Sequence, residues 1–339
     1  MWNIGLDVHQ RETQVCILTP DGTVTEHRLP TTRARLTGYF APLPPSRILL
    51  ESSTESEWVA QCLEGLGHSV LVADPSFAPM YGRRRRAKTD RRDARALAEA
   101  CASGVYRLAH RLSARQREVR LALAVRQSLV RTRTRWINQI RGQLRGAGLR
   151  LARGTPTTFA TRVQALALPT PLAGQLAPLF ALLPPLQAAI VAADQQLVAW
   201  AGRDPVAPTL QSVPGVGPLT ALAFLAALDD VTRFPTAREV PAYLGLVPRE
   251  RSSGEVVRRG GISKAGNAQV RWLLVEAAWR VLRSPAPSHA ALRAWGERVA
   301  QRRGRRIAVV AVARRLARIL YALWRDAGVY GVRAPRRAA

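Results

Sequence analysis

The sequence contains few cysteines and no long uninterrupted apolar segment. Its 339 residues include three scattered cysteines, Cys16, Cys62 and Cys101, which have neither CxxC spacing nor an even number. No apolar run reaches 18 residues, because Pro184 and Pro185 interrupt one candidate and arginines interrupt the other. The chain also begins without the basic and apolar segments of a signal peptide. These absences argue against a disulfide-stabilised scaffold and predict a cytoplasmic protein with no membrane partner.

Acidic residues and lysine are scarce as well. There are 23 acidic residues against 51 basic ones, which gives a formal net charge of +28, and Lys88 and Lys264 are the only lysines. Because 47% of the residues are hydrophobic, the chain can form buried cores and is not a disordered basic tail. An excess of positive charge attracts polyanions, and each neutralised phosphate releases a counterion. The composition therefore predicts a nucleic-acid partner.

The patterns along the chain divide it into three segments, residues 1–110, 111–203 and 204–339. In the first segment three short strands precede alternating helices and strands, which is the element order of an RNase H-like α/β fold. The predicted strands are Asn3–Val8, Gln14–Leu18, Thr23–Leu29, Arg47–Glu51 and Ser69–Ala73. The predicted helices are one that begins near Thr32, then Glu57–Leu66 and Thr89–Ala102.

The middle segment carries two apolar runs with the alternating four- and three-residue spacing of a coiled coil. The first run consists of Val119, Leu123, Val130, Ile137, Ile140 and Leu144. The second run consists of Leu186, Ile190, Ala193, Leu197 and Trp200. The two predicted helices can pair with each other or across a dimer, and an ordinary helical hairpin is an equally open alternative.

The last segment is predicted to be mainly helical. Its sequence SVPGVGP joins two helical patterns through Gly215 and Gly217, as a helix-hairpin-helix does. Backbone amides at the start of the second helix can hold a DNA phosphate, so both glycines are candidate nucleic-acid contacts. A purely structural hairpin is the alternative. Further on, Arg302–Trp324 predicts a basic amphipathic helix with the core on one face and nucleic acid on the other.

Four carboxylates form a candidate active site. Asp7 and Glu51 are flanked by apolar strand residues, where an ionised carboxylate is unfavourable unless it is paired or bound to a metal. Because the first and fourth strands of an RNase H-like sheet are neighbours, both side chains can meet at one edge, while Asp90 and Asp93 share one helix face. Such a set can hold two Mg²⁺ (or Mn²⁺) ions about 3.5–4 Å apart. Taken singly, each acid can also be a turn residue, a salt-bridge partner or a helix cap.

Basic residues adjoin these acids. Lys88, Arg91 and Arg92 surround Asp90 in the sequence and are candidate contacts for DNA phosphates. In a chain that uses arginine almost everywhere, the positions of Lys88 and Lys264 suggest a requirement for a compact point charge.

A serine segment supplies a candidate nucleophile. Ser252 and Ser253 precede a glycine in a predicted loop that also contains Arg249, Arg251, Arg258 and Arg259. A serine oxygen in such a loop can attack phosphorus, and the arginines can stabilise the developing negative charge. No histidine lies nearby in the sequence to act as a base. By spacing alone the Ser-Gly pair is a weak signal, since most such pairs are ordinary loops.

Together these residues resemble the insertion sequence 110 family of transposases, which includes the Piv-type DNA invertases. The segments GLDVH at Asp7, LESST at Glu51 and KTDRRDA from Lys88 are similar to the family's three N-terminal motifs. The segments VPGVGPLTA, YLGLVP, Ser253-Gly254 and ISKAGN are similar to its C-terminal domain. The resemblance covers nearly the whole chain.

The resemblance implies a RuvC-like domain in which Asp7, Glu51, Asp90 and Asp93 bind the metal. It also implies that Ser253, which directly precedes glycine, forms a transient phosphoserine link to DNA, with Ser252 as its rival. Family members act as dimers or tetramers, with carboxylates and serine from different protomers, and some are directed by a structured RNA from their own element. The expected partners are therefore DNA, a guide RNA and further copies of the chain.

Three other functions stay open at the level of sequence. A Piv-like invertase uses the same chemistry with a different outcome. A RuvC-like junction-resolving nuclease shares the four carboxylates but does not need the serine. A non-catalytic nucleic-acid-binding protein needs neither group.

Overall fold

The computed structural model describes residues 1–77, 89–253 and 256–331, with the backbone alone for residues 251–253 and 256–259. The chain divides into two compact units, Met1–Leu112 and Ser113–Ala339. Each unit has its own hydrophobic core. The division into three segments stays a prediction, and Lys88 lies outside the described residues.

The N-terminal unit contains a five-stranded sheet. Its strands are β1 (Asn3–Val8), β2 (Glu12–Leu18), β3 (Val24–Pro30), β4 (Arg47–Glu51) and β5 (Ser69–Ala73). They lie in the order β3-β2-β1-β4-β5, with β1, β2 and β3 antiparallel and β4 and β5 parallel to β1. The prediction that the first and fourth strands are neighbours is therefore confirmed.

Three helices accompany this sheet, α1 (Arg33–Phe40), α2 (Ser56–Glu64) and α3 (Asp90–Ser103). Threonines begin two of them, because the hydroxyls of Thr32 and Thr89 accept hydrogen bonds from the otherwise unpaired amides of Arg35 and Arg92. The helix α3 ends at Gly104, whose φ of 74° is the left-handed conformation that glycine adopts easily.

Strand alternation assigns the helices to opposite faces of the sheet. Ile4, Leu6 and Leu50 pack in one apolar cluster with residues of α1 and α2. Leu49, on the other face, packs with Leu97 and other residues of α3. The helix α3 therefore lies on the face opposite to α1 and α2.

The C-terminal unit is mainly helical, as predicted. Its helices are α4 (Ala114–Gly146), α5 (Phe159–Gln164), α6 (Thr170–Arg203), α7 (Ala207–Gln211), α8 (Pro218–Leu228), α9 (Glu239–Tyr243), α10 (Ala268–Arg283), α11 (Ala290–Arg303) and α12 (Arg305–Asp326). Every residue of α8 from Thr220 to Leu228 is buried, so α8 is a central core helix rather than an amphipathic one. The helices α4, α6, α7 and α10 contact α8, and α12 packs on α10 in the same hydrophobic core.

Two long helices of this unit, α4 and α6, run side by side. Arg126 on α4 pairs with Asp194 on α6 at 2.8 Å, and Arg133 donates to Gln187 at 2.7 Å. Since the partner numbers fall as the α4 numbers rise, the two helices are antiparallel. Arg126 and Arg133 fall on the four- and three-residue spacing of the apolar run, and both thus have polar partners on the facing helix.

The helix α6 begins at Thr170, well before Leu186, the first residue of the predicted apolar run. It continues through Pro178, Pro184 and Pro185, so the expectation that prolines interrupt this apolar run is wrong. All three prolines are exposed, where water can satisfy the carbonyls that lose a partner, while buried residues such as Leu183 and Ile190 hold the helix in place. Within the described residues α6 alone is long and apolar enough to cross a membrane, by length and composition only.

A two-stranded hairpin interrupts the helices. Its strands are β6 (Pro248–Ser253) and β7 (Val256–Ile262), which pair in antiparallel fashion. The serine segment was predicted as a loop, and this is wrong for the backbone of Ser252 and Ser253, which lies in β6. The segment lacks the alternation of apolar and polar residues that identifies a half-buried strand.

Candidate active site

The position of Asp7 follows from the glycine two residues before it. A Cβ atom on Gly5 would lie 2.0 Å from the carbonyl oxygen of Ala94 and 2.3 Å from the amide nitrogen of Ala98. The backbone of α3 therefore packs directly on β1, which only glycine allows. Because alternate strand residues share a face, Asp7 points to the same side of the sheet as Gly5, toward the start of α3.

Glu51 lies on the neighbouring strand on that same side. The register of β1 and β4 pairs Leu6 with Leu50, so Asp7 and Glu51 each occupy the next position along adjacent parallel strands. Leu49, two residues before Glu51, packs against α3. The sheet thus brings Asp7 and Glu51 to one edge, on the face that α3 covers.

The first turn of α3 supplies the other two acids, Asp90 and Asp93. An oxygen of Asp7 lies 3.2 Å from Nε2 of His9, and the same nitrogen lies 3.6 Å from an oxygen of Asp90. The candidate ligand atoms of Asp7, His9 and Asp90 all lie within 4.8 Å of one another. Asp93 is close enough for its charge to affect Asp7.

His9 was not among the residues predicted from the sequence. It follows Asp7 by two residues, the spacing that places side chains on one side of an extended segment. Its backbone amide donates to the carbonyl of Glu12 at 3.0 Å in the turn between β1 and β2, which returns the imidazole toward Asp7. The two-residue spacing from Asp7 was the sequence signal that could have identified His9. Only the structure of the turn between β1 and β2 shows that its ring faces the acids.

Burial dominates the electrostatics of Asp7, which is 9% exposed. Burial raises the pKa of Asp7 above its ordinary value, and the charges of Asp90 and Asp93 raise it further, while His9 lowers it. The crowded acids therefore disfavour ionised Asp7 unless positive charge is present.

These donors fit a divalent metal ion. Carboxylate oxygens are the ligands that Mg²⁺ and Mn²⁺ prefer, and a buried carboxylate whose pKa is raised by other acids is stabilised in its ionised form by a bound cation. Asp7 and Asp90 offer such oxygens, with Glu51 and Asp93 on the same side of the sheet.

The predicted phosphate contacts near α3 have different surroundings. The guanidinium of Arg91 pairs with the carboxylate of Glu26 on β3, although the Arg91 side chain is largely exposed. Arg92 donates its backbone amide to the cap residue Thr89. Arg91 is thus available to DNA only by exchanging Glu26 for a phosphate.

In the C-terminal unit two motif segments lock together through their backbones. A Cβ atom on Gly245 would lie 2.4 Å from the amide nitrogen of Ala265, and one on Gly266 would lie 2.1 Å from the carbonyl of Tyr243. Arg271 donates to the carbonyls of Leu244 and Ala265. We call these two segments, residues 243–246 and 263–267, the clasp.

The clasp holds the base of the serine hairpin. The amide of Ser263 donates to Val247 at 2.8 Å, directly beside the register pair of Pro248 and Ile262. Lys264 is exposed and has a φ of 57°, a left-handed conformation that is unfavourable for a residue with a Cβ. The side chains of Arg251, Ser252, Ser253, Arg258 and Arg259 lie outside the described residues.

The predicted glycine turn precedes α8. Gly215 has a φ of 83°, and a Cβ atom there would lie 2.7 Å from the carbonyl of Ala277, so close packing on α10 requires this glycine. Gly217 caps the start of α8, and a Cβ atom there would meet nothing within 4 Å. Of the two glycines, Gly217 faces open space. It shares a groove with Arg280 and Arg283.

Comparisons with known proteins agree along the chain. Residues 4–148 match a family model for IS110 that is described as "Transposase". Residues 207–293 match the model "Transposase IS116/IS110/IS902 family". The first matched region contains Asp7, Glu51, Asp90 and Asp93, and the second contains Gly215, Gly217, Gly245 and Gly266.

Curated relatives match over almost the full length. A "Probable family 20 transposase" of Pseudomonas aeruginosa is 35% identical, over 94% of this chain and 96% of the relative. A "Transposase for insertion sequence element IS1111A" of Coxiella burnetii is 32% identical, over 94% of this chain and 88% of the relative. With such identity along nearly its whole length, the chain belongs to the IS116/IS110/IS902 family of insertion-sequence transposases.

Proposed function

We propose that this transposase cuts and rejoins DNA strands by metal-dependent phosphoryl transfer with a transient serine–DNA link. The observation that carries the proposal is the group formed by Asp7, His9 and Asp90 at the edge of the sheet, with Glu51 and Asp93 on the same side. The strand order supports an RNase H-like, RuvC-like fold for this unit. We place the reaction in the cytoplasm, where DNA is accessible.

In this proposal Asp7, Glu51, Asp90 and Asp93 hold Mg²⁺ or Mn²⁺. The bound ions would supply Lewis-acid activation of the attacking oxygen and charge stabilisation of the leaving oxygen. Gly5 lets α3 approach β1, and the Thr89 cap fixes the first turn of α3. These two residues orient the acids without touching the substrate.

Ser253 acts as the nucleophile, and Ser252 is the alternative. The serine oxygen forms a bond to phosphorus as the bond between phosphorus and one sugar oxygen breaks, and the serine proton is balanced by the proton that the departing sugar hydroxyl takes up. Attack of a sugar hydroxyl on the phosphoserine reverses these changes and rejoins the strand. Arg251, Arg258 and Arg259 neutralise the negative charge that develops on the phosphate.

DNA phosphates are held by basic residues and by helix starts. The proposed contacts are Lys88, Arg91, Arg92, Gly215, Gly217, Arg251, Arg258, Arg259 and Lys264. Lys264 is exposed next to the serine hairpin, which supports its role. Gly217 opens α8 into a groove with Arg280 and Arg283, which supports a helix-hairpin-helix phosphate contact at this turn.

A guide RNA and further copies of the chain complete the proposed complex. The net charge of +28 favours carrying RNA together with DNA. The paired helices α4 and α6 act as a coiled coil that also joins protomers. Exposed apolar residues on α6 support this role, since Leu182, Val191 and Val198 are 49%, 43% and 51% exposed.

The metal requirement is tested with variants of two carboxylates. Purified protein is incubated with DNA from the ends of its element, the flanking transcript and Mg²⁺, and strand cleavage is measured. We expect Asp7→Asn to abolish cleavage and Glu99→Gln, on the exposed face of α3, to retain it. Equal cleavage by the wild type and Asp7→Asn would rule out the carboxylate mechanism.

A further inference from the structure

A groove in the C-terminal unit has arginines along one wall. It lies between α11 and α12, beside Ala237, and has a volume of about 770 Å³. The α12 wall presents Arg314, Arg315 and Arg318, flanked by Ala311 and Ala322. These residues recur at spacings of three and four, so they form one stripe along the helix.

The positive charge of this groove is not compensated. Arg314, Arg315 and Arg318 are exposed, and none of them has a carboxylate partner among the described residues. No described residue that lines the groove is acidic. The groove at the start of α8 differs, because Asp194 and Glu276 contribute to its lining.

The stripe is fixed in place by the other side of α12. Val312, Leu316 and Leu320 on that side are fully buried in the core of the unit. The guanidinium of Arg315 lies 4.7 Å from the ring centroid of Trp295 on α11, a cation–π contact. The cations are therefore held on a rigid support before any ligand binds.

The lining chemistry favours duplex DNA over single-stranded RNA. Proteins recognise single-stranded nucleic acid largely by stacking its bases on aromatic side chains. Arg315 already stacks on Trp295, the aromatic ring among the described lining residues. Phosphates of a duplex need only positively charged donors. Arg314 and Arg318 are one turn, about 6 Å, apart along the helix and can reach different phosphates.

We infer that the groove between α11 and α12 is a second, sequence-independent binding surface for the phosphate backbone of duplex DNA. Arg314 and Arg318 contact phosphates. Arg315, which is held on Trp295, adds to the positive electrostatic potential between them. The choice of DNA as the ligand rests on the proposed strand-joining function. The surface itself needs neither the metal nor the serine, so it can be tested apart from them.

The test measures binding of a labelled duplex of arbitrary sequence at several salt concentrations, with a chelator present to prevent cleavage. The slope of log K against log salt is negative, and each lost phosphate contact reduces its magnitude by about 0.9 for B-DNA, so Arg314→Gln/Arg318→Gln should make it about 1.8 less steep. Arg314→Lys/Arg318→Lys should keep the wild-type slope. The control Arg150→Gln/Arg153→Gln removes two exposed charges elsewhere in the same unit and should leave the slope unchanged.

Three results would overturn the inference. One is an unchanged slope in the glutamine variant, and another is an equal loss in the control. The third is a greater loss of affinity for a single-stranded RNA of the same length than for the duplex, which would assign the groove to RNA. Because cleavage is not measured, a failure here is distinct from a failure of the metal and serine mechanism.

Discussion

The buried carboxylate of Asp7 has two acidic neighbours and one imidazole within the same site. Burial and the charges of Asp90 and Asp93 act against its ionised form, yet the proposed metal binding requires that form. Active-site residues of this kind are optimised for function rather than for folding. Substitutions at such residues can therefore change stability and activity in opposite directions.

Asp7→Asn is expected to stabilise the metal-free protein. The folded protein holds the pKa of Asp7 above its ordinary value, so the free energy of unfolding of the wild type falls as the pH rises and Asp7 loses its proton. Asparagine does not ionise, so the variant lacks this fall in stability. Metal-dependent cleavage should fall by more than about 100-fold, since even residues that only support metal ligands cost about 10–100-fold. Thermal unfolding at several pH values in a chelator checks the first part. A lower melting temperature for Asp7→Asn at pH 8 would contradict it.

Lys264→Gly should separate backbone strain from DNA contact. The left-handed conformation destabilises a residue with a Cβ by roughly 1–2 kcal/mol, and glycine avoids this strain. Against this, the greater freedom of glycine in the unfolded chain lowers the stability of the folded protein by about 0.5–1 kcal/mol. Since Lys264 has a φ of 57°, the melting temperature of the variant should equal or exceed that of the wild type. DNA affinity, measured by fluorescence anisotropy, should fall with the lost charge. Unchanged affinity would show that Lys264 serves only the clasp.

At the scale of elements, the packing of α3 on β1 determines where the acids meet. The approach depends on Gly5, because the backbone atoms of Ala94 and Ala98 occupy the space of a side chain. The N-terminal turn of α3, with Asp90 and Asp93, lies one turn before this contact. A displacement of α3 at Gly5 therefore moves two acids away from Asp7.

Gly5→Ala should destabilise the protein by about 1–3 kcal/mol, the usual effect of overpacking. It should also reduce metal-dependent cleavage in the fraction that stays folded, because α3 shifts. The control is Gly38→Ala on α1, where an added Cβ meets nothing within 4 Å. This change should stabilise the helix by about 0.5–1 kcal/mol. Denaturant unfolding measures both, and equal stability of the two variants would contradict the packing argument.

Short strands with an apolar centre, whether alternating like Asn3–Val8 or continuously apolar like Arg47–Glu51, were predictable from the sequence. Asn3–Val8, Arg47–Glu51 and Ser69–Ala73 have the predicted bounds, and their order places Asp7 beside Glu51. The hairpin β6–β7 was not predictable in this way, because arginines and glycines occupy it and cross-strand hydrogen bonds define it. His9 was missed for a related reason, since its place depends on the turn that follows β1.

The start of α6 was not predictable from the sequence, because local preference and tertiary packing disagree. Pro178, Pro184 and Pro185 predict an interruption, whereas Leu176, Leu183, Ile190 and Leu197 recur every seven residues and are buried. Packing of this stripe outweighs the hydrogen bonds lost at exposed prolines. The continuity of α6 is therefore visible in the structure but could not be predicted from the positions of the prolines.

At the scale of the whole molecule, the exposed apolar face of α6 predicts self-association. Val191→Ser/Val198→Ser should shift the protein toward the monomer, because it removes apolar surface from the proposed contact between protomers. Light scattering during gel filtration measures the mass directly. Val24→Ser, at an exposed apolar position of the N-terminal unit, is the control and should keep the wild-type mass. Equal masses for wild type and the α6 variant would contradict this role.

The most direct test of the central claim is a search for the serine–DNA bond. Wild-type protein, Mg²⁺, end-labelled DNA from the ends of the element and the flanking transcript are mixed, denatured and separated on a gel. We expect a labelled protein band that disappears in Ser253→Ala and in Asp7→Asn but persists in Glu99→Gln. Cleavage without any protein-linked label, unchanged in Ser253→Ala, would contradict it and indicate a hydrolytic nuclease.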